Sequence, residues 1–367
     1  MSDETRYKLL VRTAAGAKKA EITDHLWLSY TKKVGRPGLL SFGLPQGHSA
    51  IDLFANHDQI EVHRRDPAGR LDWYEDFAGI YLLDKDRDKR DVETFTAYVP
   101  GNKVMLSWRH VLWLAGVDGK SAFSNDPAES VFKTLVTYNA TSSATTAAGR
   151  QGYSGEITSP GTITVEADGA GGNAVDWYCA WDNLLDTLYA LSMVAGGDYD
   201  LVKTAANTWE FRWYAGQLGT DRHASVVFAD VYDNLAAMEL QERYGQVVTG
   251  VVIGGPGEGS AREISSASAS GWSQATHVEA FINGSNLKTE AARTNAGAAL
   301  IQERRAQRTV RADVVQTDAL RYGRDYGLGD LVARRVFGVS EPVKISEVTV
   351  AQDQDGNETI AVGMVVP

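Results

Sequence analysis

Residues 343–366, VKISEVTVAQDQDGNETIAVGMVV, decide the fold that we predict for this chain. The two ends of this stretch, 343–350 and 359–366, are rich in β-branched residues and largely alternate apolar with polar side chains, which is typical of strands. Asp355-Gly356 lies between them, and this dipeptide favours a tight hairpin turn. The stretch therefore predicts an antiparallel hairpin at the end of a mainly β domain.

Further strand patterns precede this hairpin at short intervals. In the last third of the chain they cover 247–253, 309–316 and 331–337, and a helical pattern covers 288–307. In the first third they cover 6–11, 21–23, 26–30, 39–44, 50–54, 59–64 and 73–83. Short strands separated by regular turns favour a barrel or a sandwich.

The middle third has helical patterns. Asp126-Pro127-Ala128-Glu129 predicts a helix start, with Asp126 as the cap, proline at the first helical position and Glu129 reaching back to the cap. A second helix is predicted to begin near Asp182 and to end at Gly196-Gly197. Residues 141–173, rich in Ser, Thr, Ala and Gly, predict a long loop or linker with one strand at 163–165. A hairpin that turns at Asn207 follows the second helix.

This order of elements predicts an α+β, mainly β protein of three domains. An N-terminal β domain covers 1–115, an α/β domain covers 116–215 and includes the loop 141–173, and a mainly β domain covers 216–367 and includes the helix 288–307. The two outer domains are expected to be antiparallel barrels or sandwiches.

The composition excludes some classes of protein. With a formal net charge of −11, the chain is not expected to grip nucleic acid, because phosphate binding needs clustered Lys and Arg. Cys179 is the single cysteine, so no internal disulfide is possible, and we expect it to be a small buried hydrophobe. No apolar run approaches the ~18 residues of a membrane span, and the N-terminus lacks the apolar core of a signal peptide.

Two loops imitate ligand-binding motifs. Residues 254–259 are glycine-rich but lack the Lys-Ser/Thr of a phosphate-binding loop, so a flexible or tightly turning loop is predicted. Residues 84–88 begin like a calcium loop, but Lys89 and Phe95 stand where that loop needs glycine and a bidentate glutamate. A solvated loop is predicted there.

No catalytic, cofactor-binding or metal-ligating residue is predicted, and no cofactor. The seven histidines form no pair at helical ligand spacing, and no Gly-x-Ser-x-Gly motif is present. A glycosidase stays possible, because its two acids need no proximity in sequence. Trp209, Phe211 and Trp213 share one strand face with Arg212 on the other, which favours a hydrophobic sheet face over a base-stacking platform.

Several segments resemble a known family when taken in order. They are DPAESV at 126–131, VFAD at 227–230 followed by NLA at 234–236, VIGGPGEGSAR at 252–262 and YGRDYGLGDLV at 322–332. Residues 120–365 resemble the tail hub proteins of siphophages that infect actinobacteria, the Rhodococcus phage ReqiPepy6-like tail proteins, which are related to the contractile-phage baseplate hub. Asp233 departs from the pattern, since the family has a glycine before NLA.

The resemblance implies a structural protein of the virion and no enzyme. It implies a homotrimer in which residues 1–115 and 216–367 are tube-like domains that adapt a sixfold tail tube to a threefold tip, with a channel for DNA. The implied partners are the distal tail protein ring, tail tube and tape measure proteins, and tip fibre or receptor-binding proteins. Synthesis is expected in the host cytoplasm. A tail-tip cell-wall hydrolase or a host-sugar-binding tail protein stays as the alternative.

Overall fold

The computed structural model describes residues 6–68, 70–82, 94–112, 121–285, 287–305, 307–336 and 338–366. The predicted loop at 84–89 lies outside these residues. The strands are β1 Tyr7–Arg12, β2 Lys18–Ile22, β3 Trp27–Lys33, β4 Leu39–Pro45, β5 Gln59–Asp66, β6 Leu71–Ile80, β7 Thr94–Pro100, β8 Ser121–Pro127, β9 Thr162–Val165, β10 Ala174–Cys179, β11 Asp198–Ala205, β12 Thr208–Tyr214, β13 Val227–Ala229, β14 Leu235–Arg243, β15 Gly250–Gly254, β16 Ile264–Ser268, β17 Glu279–Asn283, β18 Gln307–Val314, β19 Leu331–Val336, β20 Val339–Gln352 and β21 Glu358–Val365.

Within the described residues the helices are far fewer than the strands, so the predicted α+β, mainly β class is confirmed. They are α1 Val104–Ser107, α2 Ala128–Ala140, α3 Leu184–Ala195 and α4 Glu290–Glu303. The strand predicted at 50–54 is wrong, because Ser49–Leu53 forms a 3-10 helix. The ring Nδ1 of His48 accepts a hydrogen bond from the backbone N–H of Ala50 at 3.1 Å, which satisfies a donor at the start of this helix.

A nine-stranded sheet is built from both ends of the chain. Its order is β14-β18-β21-β20-β3-β4-β7, with β19 beside β20 and β13 beside β19. The predicted C-terminal hairpin is confirmed, since β20 and β21 pair from Lys344 opposite Val365 to Gln352 opposite Glu358. Strand β20 also pairs with β3, so residues of the ranges 1–115 and 216–367 share this sheet.

The four-stranded sheet β2-β1-β5-β6 packs on the nine-stranded sheet. One hydrophobic core lies between them, and it contains buried side chains from both ends of the sequence, such as Leu9, Val62, Phe42, Val348 and Val362. The two terminal segments are therefore packed as one body, while the domain boundaries at 115 and 215 stay a prediction. None of the sheets closes into a barrel within the described residues.

The middle unit, residues 121–214, surrounds a second core. Its sheets are β10-β8 and β11-β12-β9, and the buried faces of α2 and α3 pack on them. The predicted face of Trp209, Phe211 and Trp213 is confirmed, because all three side chains are buried and point away from the half-buried Arg212. The predicted strand within 141–173 is confirmed as β9, which pairs parallel with β12.

The start of α2 differs from the prediction. Asp126 does not cap the helix, because Pro127 occupies the N-cap position without a side-chain bond and Asp126 Oδ2 accepts from the backbone of Ser124 instead. Glu129 does not reach back to the cap either. Its carboxylate accepts from the backbone N–H groups of Gly169 at 3.1 Å and Gly171 at 2.8 Å, so it anchors the end of the 141–173 loop on the helix.

A third unit, residues 247–305, lies between β14 and β18 in sequence. Its sheet order is β16-β15-β17, and α4 covers one face through a small core that includes Val251, Ile253, Leu287 and Ile301. No helix in the described part of the chain is both long and apolar enough to cross a membrane.

Candidate functional site

A charged cluster joins the four-stranded sheet to the middle unit. Glu61, only 2% exposed, accepts hydrogen bonds from Arg12 Nε at 2.7 Å, from His63 Nε2 at 3.1 Å and from Lys203 Nζ. Burial alone raises the pKa of Glu61, but the hydrogen bonds from His63, Lys203 and Arg12 outweigh it and lower the pKa to about 2. Since Lys203 lies on β11, this contact fixes the middle unit against the sheet. We call these four residues the Glu61 cluster.

Two members of the Glu61 cluster, together with the neighbouring Glu75, have the residue types of a metal site. Glu61, His63 and Glu75 carry possible ligand atoms that all lie within 4.8 Å of one another, because Glu75 stands opposite His63 in the register of β5 and β6. No pattern in the sequence indicates this group, since two of its members lie on one strand and the third on the next. Arg12 and Lys203 already neutralise Glu61 there, so a divalent cation would have to displace them. The arrangement fits an ion-pair network better than a metal centre.

A second polar network lies between the two large sheets, and we call it the sheet junction. Arg64 and Glu358 are both buried and pair through two bonds, Nε to Oε1 at 3.0 Å and Nη2 to Oε2 at 2.9 Å. Tyr7 donates to the same carboxylate. The network thus connects β1 and β5 of one sheet with β21 of the other.

Asp76 is the second anchor of the sheet junction. It accepts from Tyr30 at 2.5 Å, from Lys32 at 2.8 Å and from Tyr322 at 2.8 Å. Burial alone raises the pKa of Asp76, but the charge of Lys32 and these hydrogen bonds hold the pKa below its ordinary value. Asp76 therefore holds strand β3 and the segment before β19 against β6.

The segment YGRDYGLGDLV, residues 322–332, forms a structural loop that ends in β19. Gly323 and Gly329 have φ angles of +85° and +86°, which disfavour any residue with a Cβ. Asp330 accepts from the backbone of Thr220 at 2.6 Å and of Gly327 at 2.8 Å. The residues that carry the family resemblance thus support the fold rather than chemistry.

The other sequence motifs are also structural. Cys179 is buried, and burial raises the pKa of its thiol, so the predicted small hydrophobe is confirmed. The glycine-rich stretch is a turning loop as predicted. Its Gly257 has a φ of +94°, and the guanidinium of Arg262 donates to the carbonyls of Gly254 and Gly255.

The two ends of the nine-stranded sheet are the surfaces best suited to assembly. Within the described residues, β7 and β14 are the edge strands of the seven-stranded path, and the short strand β13 ends the branch through β19. Tyr98 on β7 is 62% exposed, and Tyr244, next to the end of β14, is 64% exposed. Val231 and Tyr232, in the 3-10 helix before β14, are also exposed. Exposed edge strands with apolar side chains can pair with another chain.

A family model described as "Siphovirus ReqiPepy6 Gp37-like protein" matches residues 11–364. Among curated proteins, no sequence matches this chain.

Solved structures of similar fold cover almost the whole chain. The prophage MuSo2 43 kDa tail protein from Shewanella oneidensis is 14% identical with a TM-score of 0.57, and 98% of each chain is covered. The tail protein from Neisseria meningitidis MC58 is 10% identical with a TM-score of 0.53, covering 98% of this chain and 97% of that one. The prophage tail protein gp18 from Listeria monocytogenes EGD-e is 9% identical with a TM-score of 0.51, covering 97% of this chain and 94% of that one. At these identities the likeness concerns the fold alone.

Proposed function

Because this chain belongs to the siphovirus ReqiPepy6 Gp37-like family of phage tail proteins, we propose that it is the structural hub of the tail tip. In this proposal three copies form a ring that adapts the sixfold tail tube to a threefold tip and leaves a channel for the DNA. The protein acts through its surfaces and catalyses no reaction.

The open ends of the nine-stranded sheet carry this proposal. Every pairing along β14-β18-β21-β20-β3-β4-β7 is antiparallel, so β14 and β7 run in the same direction. A head-to-tail ring can therefore place β7 of one copy beside β14 of the next as a parallel pair, and identical contacts repeat around the axis. Such a contact would bury Tyr98 and Tyr244 together.

The proposed partners follow from a position at the tip. They are the distal tail protein ring, the tail tube and tape measure proteins, and the tip fibre or receptor-binding proteins.

The net charge of −11 per chain fits this position, because acidic groups along the channel would repel DNA and let it pass without binding. Replacing acids that line the channel by lysine should then slow DNA ejection.

Native mass spectrometry of the full chain tests the assembly. We expect a trimer, whereas a distal-tail ring would be a hexamer. Tyr98→Asp and Tyr244→Asp each place a charge in the proposed contact, so each should shift the trimer to monomer. Tyr153→Asp is the matched control, because Tyr153 is 79% exposed on the 141–173 loop and belongs to neither edge strand.

Other outcomes would count against the proposal. A native hexamer would favour a distal-tail ring, and a trimer that survives both edge substitutions would place the contact elsewhere. Zymography on cell-wall substrate separates the hub from a tail-tip hydrolase, since a clearing band from the purified chain would contradict a purely structural role.

A further inference from the structure

An open cleft lies where the N-terminal segment meets the loop of the middle unit. It has a volume of about 450 Å³, within the ~300–1,000 Å³ usual for small-molecule sites. One wall comes from residues before α2 and the other from the 141–173 loop. Its polar and aromatic lining residues are Asn56, His57, Trp108, Arg109, Glu156, Thr158 and Ser159.

Two stacked aromatic rings contribute to the inner surface of this cleft. The imidazole of His57 stacks on the indole of Trp108, with ring centroids 5.2 Å apart and an angle of 19° between the planes. Both side chains are half-buried, so part of this surface faces solvent. His57 Nδ1 is also 3.0 Å from Ser159 Oγ, which fixes the ring against the opposite wall.

The backbone at His57 is strained to hold this ring in place. Its φ is +68°, in the left-handed region that residues other than glycine rarely adopt. The turn is fixed by Asp58, whose Oδ2 accepts from the backbone of Ala55 at 2.9 Å and from Lys19 Nζ at 2.6 Å. Residues in this conformation are found at ligand sites as well as in structural turns such as that of Asp233, so the angle supports the site only together with the cleft and the stacked rings.

The rim of the cleft offers fixed polar groups. The Glu156 side chain is half-buried, and its carboxylate makes no hydrogen bond within the described part of the chain. The hydroxyls of Thr158 and Ser159 are exposed beside it. Arg109 does not compete for a ligand, since its guanidinium donates to the carbonyls of Gly155, Glu156 and Trp108 at 2.6 to 3.0 Å. These bonds hold the two walls together.

We propose that this cleft binds one neutral hexopyranose ring of a carbohydrate. The apolar C–H face of such a ring packs on the solvent-facing part of the His57–Trp108 stack. Its hydroxyls donate to Glu156 and exchange hydrogen bonds with Thr158 and Ser159, so the free carboxylate gains partners on binding. An anionic sugar fits less well, because its carboxylate would lie beside the Glu156 carboxylate, while Nε, Nη1 and Nη2 of Arg109 already donate to backbone carbonyls.

Saturation-transfer NMR on the full chain tests this site with three neutral probes and one anionic probe: chitotriose, mannotriose, maltotriose and trigalacturonic acid. We expect at least one neutral trisaccharide to bind with a Kd of about 1 mM, and trigalacturonic acid to bind more weakly. His57→Gly and Glu156→Gln should each weaken binding of that probe at least about tenfold. Failure of all neutral probes to bind at about 10 mM, or tighter binding of trigalacturonic acid, would overturn the proposal.

Stability measurements separate loss of the site from loss of the fold. Glycine accepts the backbone angle of His57, so His57→Gly should unfold at the native urea midpoint or above it while binding is lost. Asp233→Gly is the matched control, because Asp233 also has a positive φ, +50°, but lies outside the cleft. Its affinity for the probe should equal that of the native chain. Unchanged affinity in both His57→Gly and Glu156→Gln would contradict the site, and neither result depends on the trimer.

Discussion

The sheet junction and the core of the middle unit both hold together segments that are far apart in sequence, but they do so with opposite chemistry. In the middle unit the contacts are apolar, as between Phe132, Tyr199 and Phe211, whose rings pack with centroids 5.7 and 5.8 Å apart. At the sheet junction, buried charges are held by tyrosines and by each other. Apolar packing tolerates small changes of shape, whereas a buried charge network depends on each partner.

The largest effect is expected from Glu358→Gln at the sheet junction. This change keeps the shape of the side chain but leaves the Arg64 guanidinium, 1% exposed, without its counter-charge. Breaking a buried pair in this way should lower the free energy of unfolding by about 3–5 kcal/mol, measured by urea unfolding at pH 7. The double variant Arg64→Met with Glu358→Leu should recover at least half of that loss. A loss below about 1 kcal/mol in the single variant would show that the pair is not important to the fold.

The next largest effect is a loss of folding stability at low pH that is caused by protonation of Glu61. Its pKa falls from an ordinary value of 4.5 to about 2 in the folded chain, so its contribution is complete above pH 4.5 and is lost as the pH falls toward 2. Since one pKa unit corresponds to about 1.4 kcal/mol, this contribution is on the order of 3 kcal/mol. Urea unfolding should therefore show a steeper loss of stability between pH 5 and pH 2.5 in the native chain than in Glu61→Gln.

Glu258→Gln is the control for the acid series. Glu258 is exposed in the glycine-rich loop, so its removal should leave the dependence on pH unchanged. Parallel curves for the native chain and Glu61→Gln would contradict the lowered pKa of Glu61.

A smaller effect is expected in the middle core. Leu188 on α3 is fully buried, and Leu188→Met conserves its volume and its apolar character. The free energy of unfolding should fall by less than about 1.5 kcal/mol, in contrast to the equally conservative Glu358→Gln. If Leu188→Met and Glu358→Gln lowered the free energy of unfolding by similar amounts, the sheet junction would be no more sensitive to conservative changes than the middle core.

The smallest effect is a gain at Asp233. This residue ends the 3-10 helix before β14 with a φ of +50°, where the resembling family has glycine. Asp233→Gly relieves the left-handed conformation but makes the unfolded chain more flexible, so the net gain should be about 0.5 kcal/mol. Thermal unfolding of the two proteins measures it, and a clear loss of stability would show that the Asp233 side chain itself supports the turn.

Local patterns in the sequence predicted most of the elements. The C-terminal hairpin and the inward face of Trp209, Phe211 and Trp213 were predicted because side-chain periodicity follows directly from strand geometry, and the helices α2 and α3 were predicted from their start and stop signals. Two local predictions failed because a single side-chain hydrogen bond decided the structure. The strand predicted at 50–54 is a 3-10 helix that begins at the His48 cap, and Glu129 binds the 141–173 loop instead of the helix cap.

The tertiary structure alone decided which segments meet. No pattern in the sequence indicated that β3 pairs with β20, that Arg64 meets Glu358, or that His57 stacks on Trp108 beside Ser159. Periodicity reports whether a residue faces inward, but it carries no information about its partner, because pairing between distant segments depends on the packing of the whole chain. By itself the sequence therefore determined the class of fold and the family, while the polar junction, the cleft and the open sheet edges came only from the packed structure.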